Sequence, residues 1–446
     1  MTENGRAPAG QEWPGGVDGR TPAGPGGSGG LDVARLRAAA RDARRLVLQA
    51  ARLHGTGHPG GSLSACDLLA AIFLHARRPG VDRFVLGKAH AQAAHHALLA
   101  LTGAFPISEL AAATAARPGV DFPPGPPGQG LAAGVGLALA AQRAGSDART
   151  YVLLGDGEAQ AGAVWEAAQV AARHGLDRLV AIIDQNRRSG DPTGPEPLEK
   201  PAARFRAFGW HVIELNGHDM DRIVAGFAEA ARASGKPVVM IAATTKGQGV
   251  SFMLDDPAWH ARVPSADELR VALAELGGDL WLAASADAPQ APGPATDAGG
   301  PLRPGAGPVA DAALAGGAGP AADAALPVGA ALAALDDPAL VLLDADQGGL
   351  PGFPAGRTIR LGVTPATLPA IAAGLAAAGL APWAVVDALP APWPAGRVKL
   401  IGPAGLVATL PAHVPHAAPQ DLARLHAEPG PGFLALPAEA PLAACR

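Results

Sequence analysis

The sequence predicts an α/β protein in which helices cover both faces of a parallel sheet, followed by a second, smaller α/β unit. Strand-like apolar runs alternate with helical patterns from Leu31 to about Ala284, which is typical of a parallel sheet between helices. A shorter alternation of the same kind begins near residue 327. A chain of 446 residues is also too long for one ordinary core, so we expect two folded units.

Composition and charge exclude some classes of partner. The formal charge is −5 and the isoelectric point is near 6.2, so nothing favours binding to nucleic acid or to an anionic membrane. The two cysteines, Cys66 and Cys445, lie too far apart in sequence to suggest a disulfide framework or a zinc cluster. The N-terminus lacks the apolar segment of a secretory signal. We therefore expect a cytoplasmic protein that acts on small molecules or proteins.

The chain divides into four predicted segments. Residues 1–30 are rich in Gly and Pro and without periodicity, which predicts a disordered arm. Residues 31–284 form the first domain, and residues 285–326, rich in Ala, Pro and Gly, form a flexible linker. Residues 327–446 form the second unit. Its uncharged stretch, 361–386, contains several prolines and glycines and is mostly alanine, so we expect a helix and a strand there instead of a membrane span.

The clearest pattern surrounds the stretch LLGDGEAQAG, Leu153–Gly162. The run Arg149–Leu154 is rich in strand formers, the next segment has apolar residues at helical spacing with Gly175 placed to end it, and RLVAIIDQN supplies another buried strand. In the order strand, helix, strand the two strands should be parallel. Asp156 and Asn186, which directly follow these strands, should therefore lie at the same edge of the sheet, where α/β proteins bind ligands.

These two residues suit a magnesium ion that holds a phosphate group. Mg²⁺ takes about six oxygen ligands and usually only one or two carboxylates, and an Asp, an Asn amide and a nearby carbonyl fit that demand. Gly155 and Gly157 keep the backbone clear for a bulky phosphate, and helix N-termini at this edge offer N–H groups to anions. On these residues alone, an Asp that caps a helix and an ordinary surface Asn remain an open alternative.

The second unit shows three elements of its own. PALVLLDAD predicts a strand, PAIAAGLAAAGL a helix and PWAVVDA another strand.

Longer words of the first domain resemble the transketolase family. GDG through IIDQN resembles its thiamine diphosphate motif, and the flanking words that match are GTGHPGGSLSACDLLAAIFLH, DRFVLGKAH, GVDFPPGPPGQGLAAGVGLALA, FRAFGWHVIELNGHD and TTKGQGVSFMLDDPAWH. They span roughly residues 35–275 in family order and are most similar to the N-terminal half of split, two-subunit transketolases. The resemblance implies a thiamine diphosphate-binding fold, with residues 31–284 as the diphosphate-binding domain.

The resemblance also implies a ligand set for Mg²⁺ and a turn beside the cofactor. Asp156, Asn186 and the main-chain carbonyl of Arg188 would bind the metal. The turn containing Gly125, Pro126 and Pro127 stands where the family's glycine-rich turn passes the cofactor, although the two prolines replace residues that are usually Ser and Leu.

The same resemblance implies contacts to the diphosphate and to the substrate. Gly157, His90, Lys246 and His260 would contact the diphosphate, and His260 is also expected to take part in catalysis. His58, in the GHPG word, would lie beside the reacting carbon and transfer protons to and from the donor's hydroxyl groups. The residue type agrees with this role, because an imidazole titrates near neutrality and can therefore both accept and donate protons.

The resemblance assigns no role to five other histidines. We interpret them as ordinary surface or packing residues: His95, His96, His174, His211 and His218.

The second unit, 327–446, resembles the family's pyrimidine-binding domain in a degenerate form. In the family, a glutamate from this domain of a neighbouring protomer bonds the aminopyrimidine of the cofactor. Pro365 stands at that position here and has neither a carboxylate nor an N–H group. The aromatic cluster that normally stacks on the pyrimidine is replaced by DALPAPWPAG. We expect that this unit does not activate the cofactor.

The first domain also departs from the family pattern. The second GHP word, expected between Leu110 and Asp121, is missing. Ala161 replaces a glutamate that usually links paired active sites, whereas Glu166 is retained. The segment that follows Asn186 is shortened. These departures affect the predicted substrate site more than the predicted cofactor site.

The sequence leaves several functions open. The first is a thiamine diphosphate- and Mg²⁺-dependent, transketolase-like transferase subunit for two-carbon ketol transfer from a ketose, such as a sugar phosphate, to an aldose-type acceptor. A separate pyrimidine-domain subunit would supply the activating glutamate, in a dimer or heterotetramer. The second is a catalytically inactive paralogue that acts as scaffold or regulator. A third is another thiamine enzyme, similar to deoxyxylulose phosphate synthase or to an acyl-transferring dehydrogenase.

Overall fold

The computed structural model describes residues 33–112, 117–186, 198–278, 328–344, 353–362, 367–385, 398–403, 416–417 and 422–436. The chain divides into two compact units, Met1–Leu282 and Ala283–Arg446, each with a sheet of its own. The predicted arm (1–30), the predicted linker (285–326), Arg188 and Pro365 lie outside the described residues.

The first unit alternates helices with strands. Its helices are α1 (Val33–His54), α2 (Pro59–Ala71), α3 (Gln92–Leu101), α4 (Gln129–Arg143), α5 (Gly162–Arg173), α6 (Pro201–Ala207), α7 (Met220–Arg232) and α8 (Ala266–Glu275). Its strands are β1 (Arg83–Leu86), β2 (Thr150–Gly155), β3 (Leu179–Gln185), β4 (His211–Asn216) and β5 (Val238–Ala243). Single helical turns occur at Ile72–Ala76, Ala89–Ala91, Ile107–Ala111, Glu158–Gln160, Ser251–Met253 and Pro257–His260.

The five strands form one parallel sheet in the order β1-β2-β3-β5-β4. The predicted parallel pairing of β2 with β3 is confirmed, with Thr150 opposite Leu179 and Gly155 opposite Asp184. Every residue of β2 is buried, which explains why this strand reads as a continuous apolar run without alternation. The strand spans Thr150–Gly155, one residue later at each end than the run Arg149–Leu154 predicts. Its pairing with β3 begins at Thr150 and continues to Gly155.

Helices cover both faces of this sheet, as predicted. On one face, Phe84, Tyr151 and Ile182 share a core with apolar residues of α1, α2, α3, α7 and α8. On the opposite face α4 packs closely, since a Cβ atom added at Gly134 would lie 2.4 Å from Cγ2 of Val152. These four side chains of the sheet are almost inaccessible to solvent. This arrangement confirms the predicted fold class.

Two helices of the first unit begin at residues that cap them. Asp219 accepts hydrogen bonds from the backbone N–H groups of Asp221 and Arg222 at the start of α7. Ser265 and Glu268 form a reciprocal capping box at the start of α8. Such caps satisfy backbone donors that a helix leaves unpaired, and each contributes about 1 kcal/mol.

The second unit is also an α/β layer structure. Its helices are α9 (Val328–Ala333), α10 (Leu368–Ala377) and α11 (Leu422–Ala427), and its strands are β6 (Leu340–Asp344), β7 (Thr358–Arg360), β8 (Ala381–Val385), β9 (Lys399–Pro403), β10 (His416–Ala417) and β11 (Gly432–Leu436). A single helical turn spans Ala355–Arg357. The strands form a parallel sheet in the order β10-β11-β9-β8-β6-β7.

The core of this second sheet is apolar and includes the indole of Trp383. Leu342, Trp383 and Ile401 are buried in one cluster, and the indole N–H of Trp383 donates to Nδ1 of His426 at 3.2 Å. The three elements predicted here, a strand, a helix and a strand, correspond to β6, α10 and β8. Among the described residues, none of the helices has the length and hydropathy needed to cross a bilayer.

Candidate cofactor site

The carboxyl ends of β2 and β3 place Asp156 and Asn186 at one edge of the first sheet. Gly155 lies opposite Asp184, so the residues that follow these strands are neighbours across the sheet edge. Asp156 is 8% exposed and Asn186 is 6% exposed. Oδ1 of Asp156 accepts a hydrogen bond from the N–H of Gly157 at 2.8 Å, and Nδ2 of Asn186 donates to Oγ of Ser64 at 3.4 Å. Both predicted metal ligands therefore lie at the predicted edge of the sheet, and the third, Arg188, lies outside the described residues.

The turn containing Gly125, Pro126 and Pro127 lies beside this edge. Gly128, which ends the turn, adopts φ of 89° and its N–H donates to Oε1 of Glu158 at 3.0 Å. The other carboxylate oxygen of Glu158 accepts from the N–H of Gly155 at 3.3 Å. Glu158 thus bridges the turn and the backbone that leads to the predicted metal ligand.

Glu158 is the residue of this region that sequence analysis missed. Its burial raises the pKa of its carboxyl to about 7, an effect that the N–H donors of Gly128 and Gly155 and the charge of Lys88 partly offset. The one signal in the sequence is its position directly after the GDG word, where an acidic side chain reads as an ordinary first-turn residue.

Three predicted histidines come together on the other side of the site. The ring centroids of His58 and His90 lie 5.7 Å apart, those of His58 and His260 lie 5.2 Å apart, and those of His90 and His260 lie 5.5 Å apart. Nζ of Lys246 lies 3.1 Å from Nδ1 of His260. These residues come from four separate segments, so only the tertiary structure brings them into one cluster.

The environment of this cluster favours neutral imidazoles. Burial, reinforced by the charge of Lys246, lowers the pKa of His260 to about 4 and also lowers the pKa of His58. Burial, followed by the charges of Lys88 and the neighbouring groups, lowers the pKa of His90 further still, to about 2. At neutral pH all three rings are uncharged and can form hydrogen bonds with a substrate oxygen, and the more weakly perturbed His58 is best placed to accept a proton.

Two glycines, the last of the GHPG word and the one that follows it, allow the close packing around these histidines. A Cβ atom at Gly60 would lie 2.8 Å from the carbonyl oxygen of Trp259, and one at Gly61 would lie 3.0 Å from the ring of His90. The N–H of Gly247 donates to the carbonyl of Gly60 at 3.0 Å. These glycines therefore pack against His90 and against Trp259, the residue before His260.

The other histidines take packing or surface positions in the structure. His95 and His96 are buried, His211 is exposed and pairs with Glu229 at 2.8 Å, and His174 lies at the end of α5. His218 has a more defined position than predicted. Its Nδ1 lies 2.7 Å from Oδ2 of Asp67, and its Nε2 accepts from the N–H of Thr245 at 2.8 Å.

A cavity of about 540 Å³ opens next to the histidine cluster. Its polar lining includes His54, Thr56, His58, Gln92 and His90, and its apolar lining comes mainly from α1. A volume of this size suits a small organic ligand.

The residues present fit a diphosphate held by a divalent metal. Asp156 and Asn186 offer the oxygen ligands that Mg²⁺ prefers, and the space beside Gly157 is open, since a Cβ atom there would meet nothing within 4 Å. Lys246, only 1% exposed, and the imidazole of His260 provide nitrogen donors to an anion. The site thus offers oxygen ligands suited to a metal at Asp156 and Asn186, and nitrogen donors suited to a phosphate at Lys246 and His260.

Comparison with protein families decides the identity of this domain. Residues 36–281, more than half of the chain, match the family described as transketolase, thiamine diphosphate binding domain. The chain belongs to the transketolase family. Its cofactor is accordingly thiamine diphosphate with a divalent metal, as the resemblance implied, and the identity of that metal as Mg²⁺ stays a prediction.

Relatives of this transketolase-family chain include subunits of split enzymes. A 6-deoxy-6-sulfo-D-fructose transketolase subunit from a Clostridium species is 38% identical over 265 residues, covering 54% of this chain and 96% of the relative. An apulose-4-phosphate transketolase subunit from Phocaeicola vulgatus is 34% identical over 267 residues, covering 55% of this chain and 95% of the relative. Each match therefore takes in nearly the whole length of the relative.

The solved structures agree on the fold. Transketolase from Campylobacter jejuni superposes with a TM-score of 0.71 at 18% sequence identity, covering 92% of this chain and 79% of that one. At this identity the likeness shows the fold alone. The family match and the similar relatives, and not this likeness, show a transketolase-like, thiamine diphosphate-binding subunit.

Proposed function

We propose that this chain is the diphosphate-binding subunit of a transketolase-like transferase that moves a two-carbon ketol group from a ketose to an aldose-type acceptor. The observation that supports this most directly is the convergence of His58, His90, His260 and Lys246 in one cluster within the family's domain. The names of two relatives add support, because both are transketolase subunits named for sugar derivatives.

We assign the cofactor contacts residue by residue. Asp156 and Asn186, with the carbonyl of Arg188, are proposed to hold Mg²⁺. Lys246 and His90 are proposed to hold the diphosphate. Three further contacts to the cofactor are proposed at Gly157, His260 and the turn Gly125–Pro127.

When bound, thiamine diphosphate supplies a carbanion that attacks the carbonyl carbon of the ketose. The chain's own residues bind and orient the reactants and move protons. His58 and His260 are neutral imidazoles in partly buried positions, so each can accept a proton from a donor hydroxyl group and return it. His90 contributes a hydrogen-bond donor near the phosphates, and Lys246 contributes positive charge.

We further propose that a separate subunit supplies the pyrimidine-binding domain. Pro365 stands where the family has its activating glutamate, although it lies outside the described residues, and proline has no group that could relay a proton. The two relatives named as transketolase subunits match the first unit of this chain over almost their whole length. On this view the second unit is a degenerate pyrimidine-binding-like domain, and the assembly is a dimer or heterotetramer. A cytoplasmic location also remains a prediction.

A non-catalytic role is the second candidate. The loss of the second GHP word and the presence of Ala161 in place of a glutamate favour a paralogue that scaffolds or regulates an active relative. Retention of Asp156, Asn186 and the histidine cluster argues against it, because a scaffold has no need of a cofactor site.

Calorimetry and an activity assay on the same preparation test the proposal. The chain should bind thiamine diphosphate in the presence of Mg²⁺ and lose that binding when the metal is chelated. After addition of the subunit that co-purifies from the native host, ketol transfer from a ketose to an aldose should appear. Cofactor binding without any ketol transfer in the complete assembly would favour the non-catalytic role. Absence of cofactor binding would contradict the proposed cofactor site and the proposed transferase activity.

A further inference from the structure

A buried ion pair lies directly beneath the predicted cofactor site. Nζ of Lys88 lies 2.5 Å from Oδ2 of Asp184, and the side chains of the two residues are 1% and 0% exposed. The sequence motifs assign no role to either residue, and neither reaches the cofactor in the proposed set of contacts. A fully buried pair of this kind has a high desolvation cost, so its stability depends on further hydrogen bonds.

Neutral partners surround both charges. Nζ of Lys88 also donates to the carbonyl of Gly61 at 2.8 Å and to Oγ of Ser64 at 3.3 Å, which accounts for all three ammonium protons. Oδ2 of Asp184 accepts from Oγ of Ser64 at 2.8 Å, and its Oδ1 accepts from the hydroxyl of Thr244. The ion pair is therefore the centre of a saturated polar network.

The network contacts the segments that carry four proposed ligands, His90, Asp156, Asn186 and Lys246. Gly61 follows His58 by three positions, whereas Lys88, Asp184 and Thr244 each precede a site residue by two positions, namely His90, Asn186 and Lys246. Ser64 accepts from Nδ2 of Asn186 at 3.4 Å. The stem of Lys88 also passes beneath the backbone before Asp156, since a Cβ atom at Gly155 would lie 3.5 Å from Cγ of Lys88.

We propose that Lys88 and Asp184 are positioning residues that set the affinity of this chain for thiamine diphosphate and its metal. The network joins α2 to the carboxyl ends of β1, β3 and β5 by hydrogen bonds and packs against the end of β2. Metal ligands and phosphate donors are thereby aligned before the cofactor arrives. An apolar core in the same place could keep the domain folded, but it would not fix the relative positions of the loops through directed hydrogen bonds. This inference rests on the proposed cofactor site.

The test separates positioning from simple stabilisation. K88M and D184N each leave a buried charge without its partner and should lower stability strongly. The double variant K88M/D184L removes both charges and should recover much of the resistance to urea. Its affinity for thiamine diphosphate with Mg²⁺, measured by calorimetry on the full chain, should nevertheless be about 10- to 100-fold weaker than wild type.

A second ion pair of the same domain provides the control. Arg45 and Asp42 pair at 3.0 Å in α1 and are both 9% exposed by side chain. The variant R45M/D42L should lower resistance to urea without changing cofactor affinity. Equal cofactor affinity in wild type and K88M/D184L would overturn the inference, whereas absence of binding in wild type would instead overturn the cofactor site.

A milder pair of variants decides the matter if the double variant does not fold. T244V keeps the shape of the side chain but removes the hydroxyl that donates to Asp184, whereas T244S keeps the hydroxyl. T244V should bind thiamine diphosphate several-fold more weakly than wild type, and T244S should bind like wild type. Equal affinities of T244V and T244S would overturn the inference.

Discussion

The side chains proposed for the cofactor site divide into metal ligands and proton-transfer groups. Asp156 and Asn186 are short oxygen donors on backbone fixed by the β2 and β3 pairing, which suits a metal that demands regular geometry. His58 and His260 are partly buried imidazoles kept neutral by their surroundings, which suits proton transfer. The charge states of the two groups differ. The carboxylate of Asp156 is stabilised in its charged form by a bound cation, whereas burial and the positive charge of Lys246 lower the pKa of His58 and His260 and keep them uncharged.

Replacement of Asp156 by Ala should abolish metal-dependent binding of thiamine diphosphate. The carboxylate compensates the charge of the divalent ion, and its loss leaves the metal with too few anionic ligands, so we expect affinity to fall by roughly 100-fold or more. Calorimetry with thiamine diphosphate, with and without Mg²⁺, measures the change. D147A, an exposed aspartate just before β2, is the control and should bind like wild type. Unchanged affinity in D156A would refute the metal assignment.

His95 offers a prediction about stability and pH that is independent of the cofactor. It is 1% exposed, contacts the rings of Phe73 and Phe84, and neither ring nitrogen has a hydrogen-bond partner among the described residues. Burial, aided by the charges of His96 and Arg77, lowers the pKa of His95 to about 3. The folded protein therefore resists protonation that the unfolded chain accepts near its ordinary pKa of about 6.5.

The folded-state pKa of His95 is depressed, so its contribution to stability is present above about pH 6.5 and is lost progressively as the pH falls toward 3. H95L should flatten the dependence of the unfolding free energy on pH in this range. At neutral pH it should raise the unfolding free energy by about 1 kcal/mol, because two unpaired polar atoms leave the core. Urea titrations at several pH values measure both effects. H211L, on the exposed surface, should stay within about 0.5 kcal/mol of wild type, and a wild-type pH profile in H95L would contradict the prediction.

At the level of elements, the site is built from loops at the carboxyl ends of neighbouring parallel strands and from the N-terminus of α2. The loops after β1, β2, β3 and β5 carry His90, Asp156, Asn186 and Lys246. Helix α4 begins beside the first of these loops, and a Cβ atom at Gly130 would lie 2.4 Å from Cα of Gly87. Because backbone atoms cannot rotate away, this helix fixes the position of the loop that contains Lys88.

G130A should therefore be destabilising, although alanine is normally the better helix former. We expect the unfolding free energy to fall by about 1–3 kcal/mol through overpacking, and cofactor affinity to fall as the Gly87 loop moves. Urea unfolding and calorimetry on the same preparation measure the two effects. The matched control is G162A at the start of α5, where a Cβ atom would meet nothing within 4 Å. Equal stability of G130A and G162A would show that α4 can shift without cost.

At the scale of the whole molecule, the chain combines a cofactor domain that matches the family with a second unit that lies outside this match. The family match ends at residue 281, and the relatives named as transketolase subunits correspond to about that length of chain. The second unit has its own parallel sheet and its own buried core around Trp383. Any activity that needs a functional pyrimidine-binding domain therefore has to be explained either by this second unit or by another protein.

Purified alone, the chain should bind thiamine diphosphate but show no ketol transfer above the buffer blank. The physical reason is that proline at position 365 has no group to activate the cofactor. Turnover should appear when a partner with an intact glutamate is added, and the pair should co-elute in size-exclusion chromatography. Activity of the isolated chain would show that the second unit is catalytically competent and that no partner is required.

The sequence by itself determined the α/β class and the β2–α5–β3 order. It also identified Asp156 and Asn186 as candidate metal ligands and the GHPG histidine as a candidate proton-transfer residue. These features are written in residues that are close in sequence, so local periodicity and short words suffice to find them. Only the tertiary structure decided that Lys88 pairs with Asp184, 96 positions away, and that Glu158 bridges Gly128 and Gly155. Charged residues to which a motif assigns no role look like surface residues in a sequence. Their burial and their partners depend on how distant loops pack, which no local pattern records.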